Sequence, residues 1–342
     1  MLTTAQVEQV LTRAPRLTVG VLGDLFLDRY LDLDAALTES SIETGLDAYQ
    51  VIRVRSYPGA AGTIINNLVA LGVGRVVPVA VIGDDGEGYE LRQALAALPA
   101  VDASGVLSAA DRRTPTYTKP MLCVAGQPPR ELNRIDIKNR TPTPAAVEEA
   151  VIARLRERWS ACDAWLVLDQ VSEADCGVVT ARVREEVARL ASEARPFVLA
   201  DSRERIGEFR SVAVKPNLAE CLQALGVSDA AGPTEWRTHL RRLADRLSRP
   251  VFCTRGEHGM LLAEPGAEVS VVVGYAVNGP IDPVGAGDSA SAGIATAVAA
   301  GLPFAAAAAF GNLVASITVQ QIGTTGTATP AQLRARSREW TR

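Results

Sequence analysis

Histidine is almost missing from this 342-residue chain, which has only His239 and His258. Neither has a partner at metal-ligand spacing, so a histidine-based metal centre and a Ser-His-Asp hydrolase are both excluded. The five cysteines (Cys123, Cys162, Cys176, Cys221 and Cys253) are scattered and form no CxxC pair. They predict buried free thiols rather than a disulfide framework or a zinc site. There is no basic block, and the formal net charge is -4; a chain of this kind lacks the electrostatic footprint of a nucleic-acid binder, so a small-molecule partner is expected. Residues 1–16 break their apolar positions with Gln, Glu and Arg, unlike a signal peptide. The longest apolar stretch, 290–310, is Ala-rich and interrupted by Gly301 and Pro303, which predicts paired buried helices rather than a membrane span. No internal repeat, low-complexity tract or disordered linker is found. A cytoplasmic protein without a membrane partner is expected.

What is present is an ordinary globular balance, 47% hydrophobic and 22% charged, in a chain long enough to bury a large core. Short apolar runs at 17–23, 76–82, 164–168, 197–200, 212–214 and 251–254 are spaced by helical patterns at 63–71, 145–159, 176–194 and 236–247. This alternation predicts an α/β fold of three layers: a doubly wound, mostly parallel sheet with helices on both faces. Two segments, 48–56 and 114–136, alternate apolar and polar residues with no helix following. They predict half-exposed strands that form a small sheet over the site as a lid. One domain over 1–342 is expected, with lid strands inserted at about 30–57 and 112–137.

The most informative segment runs from Asn278 to Gly293, where a Gly-rich turn opens directly into an Ala-rich helix. Gly285, Ala286 and Gly287 carry little bulk, so an anion can approach the free amides and the positive end of the helix dipole. Asp288 sits at that helix start. It reads either as a base accepting the proton of an attacking hydroxyl or as a capping carboxylate on a small-residue turn.

Asp282-Pro-Val-Gly-Ala-Gly-Asp288 resembles the carboxyl-terminal signature of the ribokinase-like, phosphofructokinase-B-type carbohydrate kinases, and the resemblance extends from Leu17 to Thr327 with the motifs in family order. It implies a magnesium- and ATP-dependent transfer of phosphate to a sugar hydroxyl, with Asp288 as catalytic base and residues 285–287 as anion hole. Asn217-Leu-Ala-Glu220 is similar to the family's Asn-x-x-Glu motif, whose Glu holds Mg²⁺ through water, although Asn217 also reads as a helix cap with Glu220 closing a capping box. Thr254-Arg-Gly-Glu-His-Gly259 resembles the loop beneath the nucleotide, with Gly256 and Gly259 allowing close backbone approach. Asn312 matches a position bordering the adenine, and equally a polar contact between packed helices. Asp282, with the backbone near Val284 and Gly323, corresponds to a loop region that binds a monovalent cation such as K⁺ in some relatives.

At the other end, Gly23-Asp-Leu-Phe-Leu-Asp-Arg-Tyr30 resembles the opening motif of bacterial heptose-phosphate kinases, which makes Asp24 a hydroxyl acceptor and Asp28 a further substrate candidate. Pro58-Gly-Ala-Ala-Gly-Thr63 resembles the Gly-Gly sugar turn, with Gly59 close to the sugar and Asn67 on the helix behind. The chain departs here, carrying Ala60 and Thr63 where relatives usually have a second Gly and an Asn, so a different set of hydroxyls is expected to be read. Lys119 and Arg134 lie in lid-like segments as positive substrate groups. Asp169 follows a core strand, but Ser172 and Glu173 stand where the heptose-phosphate kinases carry lysine and glycine.

The expected activity is therefore phosphorylation of a sugar or sugar phosphate. An unphosphorylated ketose, ribose or nucleoside-like acceptor is the alternative within enzymes, and a non-catalytic nucleotide- or sugar-binding regulator of the same fold is the alternative outside them. A Rossmann dehydrogenase ranks last, because 20–23 lacks the full Gly-x-Gly-x-x-Gly spacing. The resemblance also implies a homodimer through the lids, and no second, nucleotidyl-transferring half is expected.

Overall fold

A computed structural model describes residues 2–193, 196–227, 232–323 and 325–340. Its main sheet has nine strands. From one edge to the other these are Ser270–Val272, Met260–Ala263, Val251–Thr254, Ala213–Val214, Phe197–Ser202, Ala164–Asp169, Thr18–Gly23, Arg75–Gly83 and Val106–Ala109. All neighbours pair in parallel except at one edge, where Met260–Ala263 is antiparallel to both Ser270–Val272 and Val251–Thr254. Ala164–Asp169 is buried along its whole length, because helices cover both faces of the sheet, which is why it reads as an unbroken apolar run. Its alternate residues feed two cores: Leu166 and Leu168 join Ile64, Ile294 and Phe310 on one face, and Trp165 and Val167 join Val183, Leu243 and Trp159 on the other.

Helices Ala286–Ala299 and Phe304–Thr318 pack closely because small residues face each other. A Cβ at 293 would lie 3.0 Å from the Gly311 Cα. The Ala-rich stretch is thus a buried helix pair, and no helix among the described residues is long and apolar enough to cross a membrane. All five cysteines are free.

The second sheet runs Ile135–Ile137, Thr116–Cys123, Leu25–Asp34, Val51–Ala60, with Arg130–Glu131 added to the second of these. It starts earlier than the lid boundary at about 30 that the sequence suggests. The ten-residue strand Leu25–Asp34 leaves the core immediately after Asp24 and pairs with both other long lid strands. Its alternating Leu, Phe, Tyr and Asp residues read locally as a motif; only pairing with two distant segments makes them a central lid strand. Helix Gly86–Ala96 was not anticipated. Helix Ala181–Glu193 begins later than 176, because 176–180 forms a turn that delivers the Val178 amide to Asp24; residues 194 and 195, at the far end of that pattern, lie outside the described residues.

Candidate active site

The lid covers the carboxyl ends of the central parallel strands, where loops from many strands converge on a cavity of about 360 Å³. Its floor is the start of helix Ala286–Ala299. Gly285 caps that helix in a left-handed conformation (φ 78°), with Thr63 and Thr325 methyl groups 3.4 and 3.5 Å from where a Cβ would be. Ala286 donates its N–H to Pro283 O, and Gly285 accepts from Ser289. The anion hole is therefore not the three residues 285–287: the 286 amide is spent inside the turn. The N–H groups of Gly285, Gly287 and Asp288 have no protein acceptor among the described residues and stay open to a ligand.

Asp288 lines the cavity beside Gly285, Asp282 and Val284. Burial and the nearby Asp201 carboxylate push its pKa up to about 7, against the pull of Lys215 and Arg203. Lys215, which the sequence reading overlooked, is buried and pairs with Asp201 at 2.8 Å. A Cβ at 287 would lie 3.4 Å from its ammonium, so only a small residue leaves it access to the helix start. Burial opposes the charge of Lys215, but Asp201, Asp288 and Glu220 together hold its pKa above the ordinary lysine value. Its position at the carboxyl end of strand Ala213–Val214, where parallel sheets place their ligands, was the available signal.

Asn217 caps helix Leu218–Leu225 in a full capping box: its side chain accepts from Glu220 N at 2.9 Å, and Glu220 Oε2 accepts from Asn217 N at 2.7 Å. That leaves Glu220 Oε1 without a hydrogen-bond partner among the described residues, and burial raises the carboxyl pKa. No cluster of three metal-ligating side chains occurs among the described residues. A hard cation that keeps its waters fits one free carboxylate oxygen beside a phosphate-binding turn. Thr254 donates its N–H to Pro216 O at 2.9 Å, which binds the nucleotide-loop strand to the Asn217 turn. Gly256 (φ 56°) and Gly259 (φ 78°) shape the following hairpin, and a Cβ at 259 would lie 2.2 Å from Val272 O. Thr254, Gly256, Gly259, Asn217 and Glu220 do not line the cavity that holds Asp288. Asn312 is buried, and its amide nitrogen donates to Val272 O and Val273 O at 3.1 and 3.2 Å. It is a tie between helix and edge strand rather than an open adenine contact.

On the lid side, Asp28, Lys119 and Arg134 all line the cavity. Lys119 pairs with Asp28 at 3.0 Å and lies over the Tyr30 ring. Arg134 makes a bidentate pair with Asp136 at 2.7 and 2.9 Å and covers Tyr117. Gly59 faces Asp28, whose Oδ2 lies 2.4 Å from the position of a Cβ, so any larger residue would push the Asp28 carboxylate aside. Ala60 takes φ 51° and ψ -114° without a glycine's freedom, a strained position on the cavity wall.

Besides Gly59, three acceptor-side candidates do not line this cavity. Asp24 is buried in a smaller neighbouring chamber, where it accepts from Val178 N at 2.7 Å and Gln170 N at 3.3 Å; burial pushes its pKa up to about 6. Asp169 is locked to Arg205 at 2.7 and 2.9 Å and to Ser202 at 2.7 Å. Asn67 is fully buried and donates to Thr63 O at 2.9 Å. The sequence placed them near the site by motif; here Asp24 and Asp169 are held by scaffold groups, while Asn67 Oδ1 is buried without a hydrogen-bond partner. Asp282 holds two loops together, accepting from Val284 N and Gly323 N, both at 3.1 Å.

The layered parallel sheet with its small second sheet is shared with known proteins. The model of the pfkB family carbohydrate kinases matches residues 30–332. The chain belongs to this family. It is thus an ATP-dependent carbohydrate kinase with the ribokinase-like fold. Among curated relatives, the bifunctional protein HldE of Trichlorobacter lovleyi is 32% identical over 336 residues, covering 96% of this chain and 64% of the relative. HldE of Geobacter metallireducens is 32% identical over 329 residues, with the same coverage. The kinase spans just under two thirds of the length of these relatives. Among solved structures, phosphofructokinase-2 of Escherichia coli in complex with potassium superposes with a TM-score of 0.71 at 15% identity, covering 95% of this chain and 100% of the other. Arabidopsis thaliana ribokinase, complexed with ribose and ATP, gives 0.66 at 15% identity, with coverage of 94% and 98%.

Proposed function

We propose that this kinase transfers the γ-phosphoryl group of ATP to a hydroxyl of a sugar or sugar phosphate, with Asp288 as general base. The reading is carried by one observation: a carboxylate with its pKa raised to about 7 stands on the same helix turn as the unpaired N–H groups of Gly285, Gly287 and Asp288. The amides and the Lys215 ammonium gather the charge of the transferring oxygens, which would otherwise repel the acceptor. Asp288 takes the hydroxyl proton as the oxygen attacks in line, and ADP leaves with the broken O–P bond's electrons. Glu220 would hold Mg²⁺ through water, and the ion would supply positive charge to offset that of the nucleotide phosphates. The lid excludes water, which would otherwise compete as acceptor.

The resemblance to the HldE proteins favours a heptose phosphate as acceptor, and Lys119 and Arg134 on the cavity wall are suited to it. Asp24, Asp28, Gly59 and Asp169 belong to the same proposal only as the frame of the acceptor site. Binding of K⁺ beside Asp282 and pairing of two copies through their lids are the remaining parts of it. The test is ADP formation over a panel of sugars and sugar phosphates, by the wild type and by Asp288→Asn. Near-normal turnover in the variant would remove Asp288 from the mechanism, and ATP consumption independent of every acceptor would remove the sugar.

A further inference from the structure

Helix Gly86–Ala96 stands at the root of the lid, and every acidic residue of 85–96 is bound there. Asp85, which caps the helix, accepts from Thr114 N at 2.9 Å and from Thr114 Oγ1 at 2.7 Å, just before lid strand Thr116–Cys123 begins. Glu87 pairs with Arg113 of the same segment at 3.0 Å. Glu90 reaches the other two long lid strands. One of its oxygens pairs with Arg29 Nη2 at 2.8 Å, and the other accepts from Ser56 Oγ at 2.6 Å. Leu91 and Leu95 are sunk in the main core, so the helix is a fixed post from which these carboxylates hold the lid.

The place of the Glu90 grip gives it a consequence for the cavity. Strands Leu25–Asp34 and Val51–Ala60 are buried at their roots, at Leu25, Phe26, Leu27, Pro58 and Gly59, whereas no residue of 28–32 or 51–57 is buried. Arg29 and Ser56 are paired across the two strands just beyond that root, so Glu90 ties them where packing against the core ends. Asp28 and Tyr30, on either side of Arg29, point to the opposite face of the sheet. Both line the cavity, where Lys119 pairs with Asp28 at 3.0 Å and donates to the Tyr30 hydroxyl at 3.2 Å. Among the described residues Glu90 is the one polar partner of the Arg29 side chain, whose Nε is buried without a hydrogen bond. The two charged side chains are 31% and 27% exposed, and a pair so open to water adds little to global stability. It is enough to select between lid positions that differ little in energy.

We propose that Glu90 is a positioning residue for the acceptor. By clamping Arg29 to Ser56 from behind the lid, it holds Asp28, Tyr30 and Lys119 at a fixed height over Asp288, so that the acceptor is seated and water is kept from its place. The proposal deepens the kinase reading and rests on it for the acceptor's place beneath the lid.

The experiment uses the full chain with a non-hydrolysable ATP analogue and Mg²⁺, and compares wild type, Glu90→Ala and Glu90→Gln by hydrogen–deuterium exchange. Exchange over 28–34 and 51–57 is expected to be about fivefold faster in Glu90→Ala, with strand Ala164–Asp169 unchanged and the melting temperature within about 2 °C. Glu90→Gln keeps an oxygen for Ser56 but loses the charge, and falls between. Kinetics then use whichever of ribose, fructose, fructose 6-phosphate and glucose 6-phosphate supports the most ADP release. In Glu90→Ala the KM for that sugar should rise about fivefold with the KM for ATP unmoved, and more ADP should form without sugar phosphate. Glu90→Gln should recover part of both changes. Equal exchange in the three proteins overturns the proposal, and so does faster exchange with an unchanged sugar KM. A Glu90→Ala protein that melts much lower and loses affinity for ATP and sugar alike also overturns it, since Glu90 would then hold the fold. If none of the four sugars raises ADP release above the acceptor-free rate, the acceptor reading fails for them, and exchange together with acceptor-free hydrolysis decides the clamp.

Discussion

The two ends of the cleft are built differently. At the end we assign to the phosphates, seven consecutive residues, 282–288, supply the turn, the open amides and the acid, and only Lys215 and Glu220 come from elsewhere. Its chemistry is mostly backbone, and it follows from where a helix begins. At the acceptor end, Asp28, Lys119, Arg134 and Arg203 come from four separate segments, and most of their charges are already paired to other protein groups. A backbone cradle is insensitive to side-chain exchange, whereas a surface of paired side chains can be retuned one residue at a time. That is the physical reason one fold keeps its reaction while it changes its acceptor.

This contrast can be broken by experiment. The largest effect is expected from Asp288→Asn, with kcat lower by about three orders of magnitude and ATP affinity retained, measured by ADP release and nucleotide titration. Loss of ATP binding in this variant would make Asp288 structural. Lys215→Met follows, with kcat/KM for ATP down about a hundredfold in protein whose melting curve remains cooperative. An unchanged kcat/KM would confine Lys215 to neutralising Asp201.

The pH dependence comes next. Asp288 must be ionised to act, so kcat should fall tenfold per pH unit below about 7. Its stability effect runs the other way. With a folded pKa of about 7 above the ordinary 3.8, the carboxyl favours the fold most at low pH, and this contribution declines as pH rises from about 4 to 7. Asp288→Asn should therefore melt higher than wild type at pH 8, and by less at pH 5. A rate limb near pH 4 would show that the acid is not desolvated.

The smallest effect tests the acceptor end. Ala60 occupies a backbone conformation suited to glycine, and Ala60→Gly should raise stability by about 1 kcal/mol in denaturant unfolding. If it lowers stability instead, the strain has been overestimated. A change in acceptor KM with kcat unaltered would show that the wall at Ala60 contributes to specificity.

The layered parallel sheet, the buried helix pair and the helix start at Asp288 were legible because each is a local pattern: strand-helix alternation, small residues facing small residues, glycine before a helix. The lid was legible only in outline. Strand Leu25–Asp34 is defined by partners that begin more than twenty residues away, at Val51–Ala60 and Thr116–Cys123. Asp24, Asp169, Asn67 and Asn312 share a different difficulty. Their residue types suit a ligand and a scaffold equally, and only the atoms they meet decide: Val178 N and Gln170 N, Arg205, Thr63 O, and the carbonyls of Val272 and Val273.

From its order of residues alone, the chain determined a three-layer sheet with a glycine-led helix start, because backbone conformation and hydrophobic period are set by near neighbours. Tertiary structure decided which charges are spent and which are left over. Lys215 pairs with Asp201, whereas Arg112 gives its hydrogen bonds to backbone carbonyls, because partners are brought together by folding across long stretches of chain, and no local pattern records the pairing.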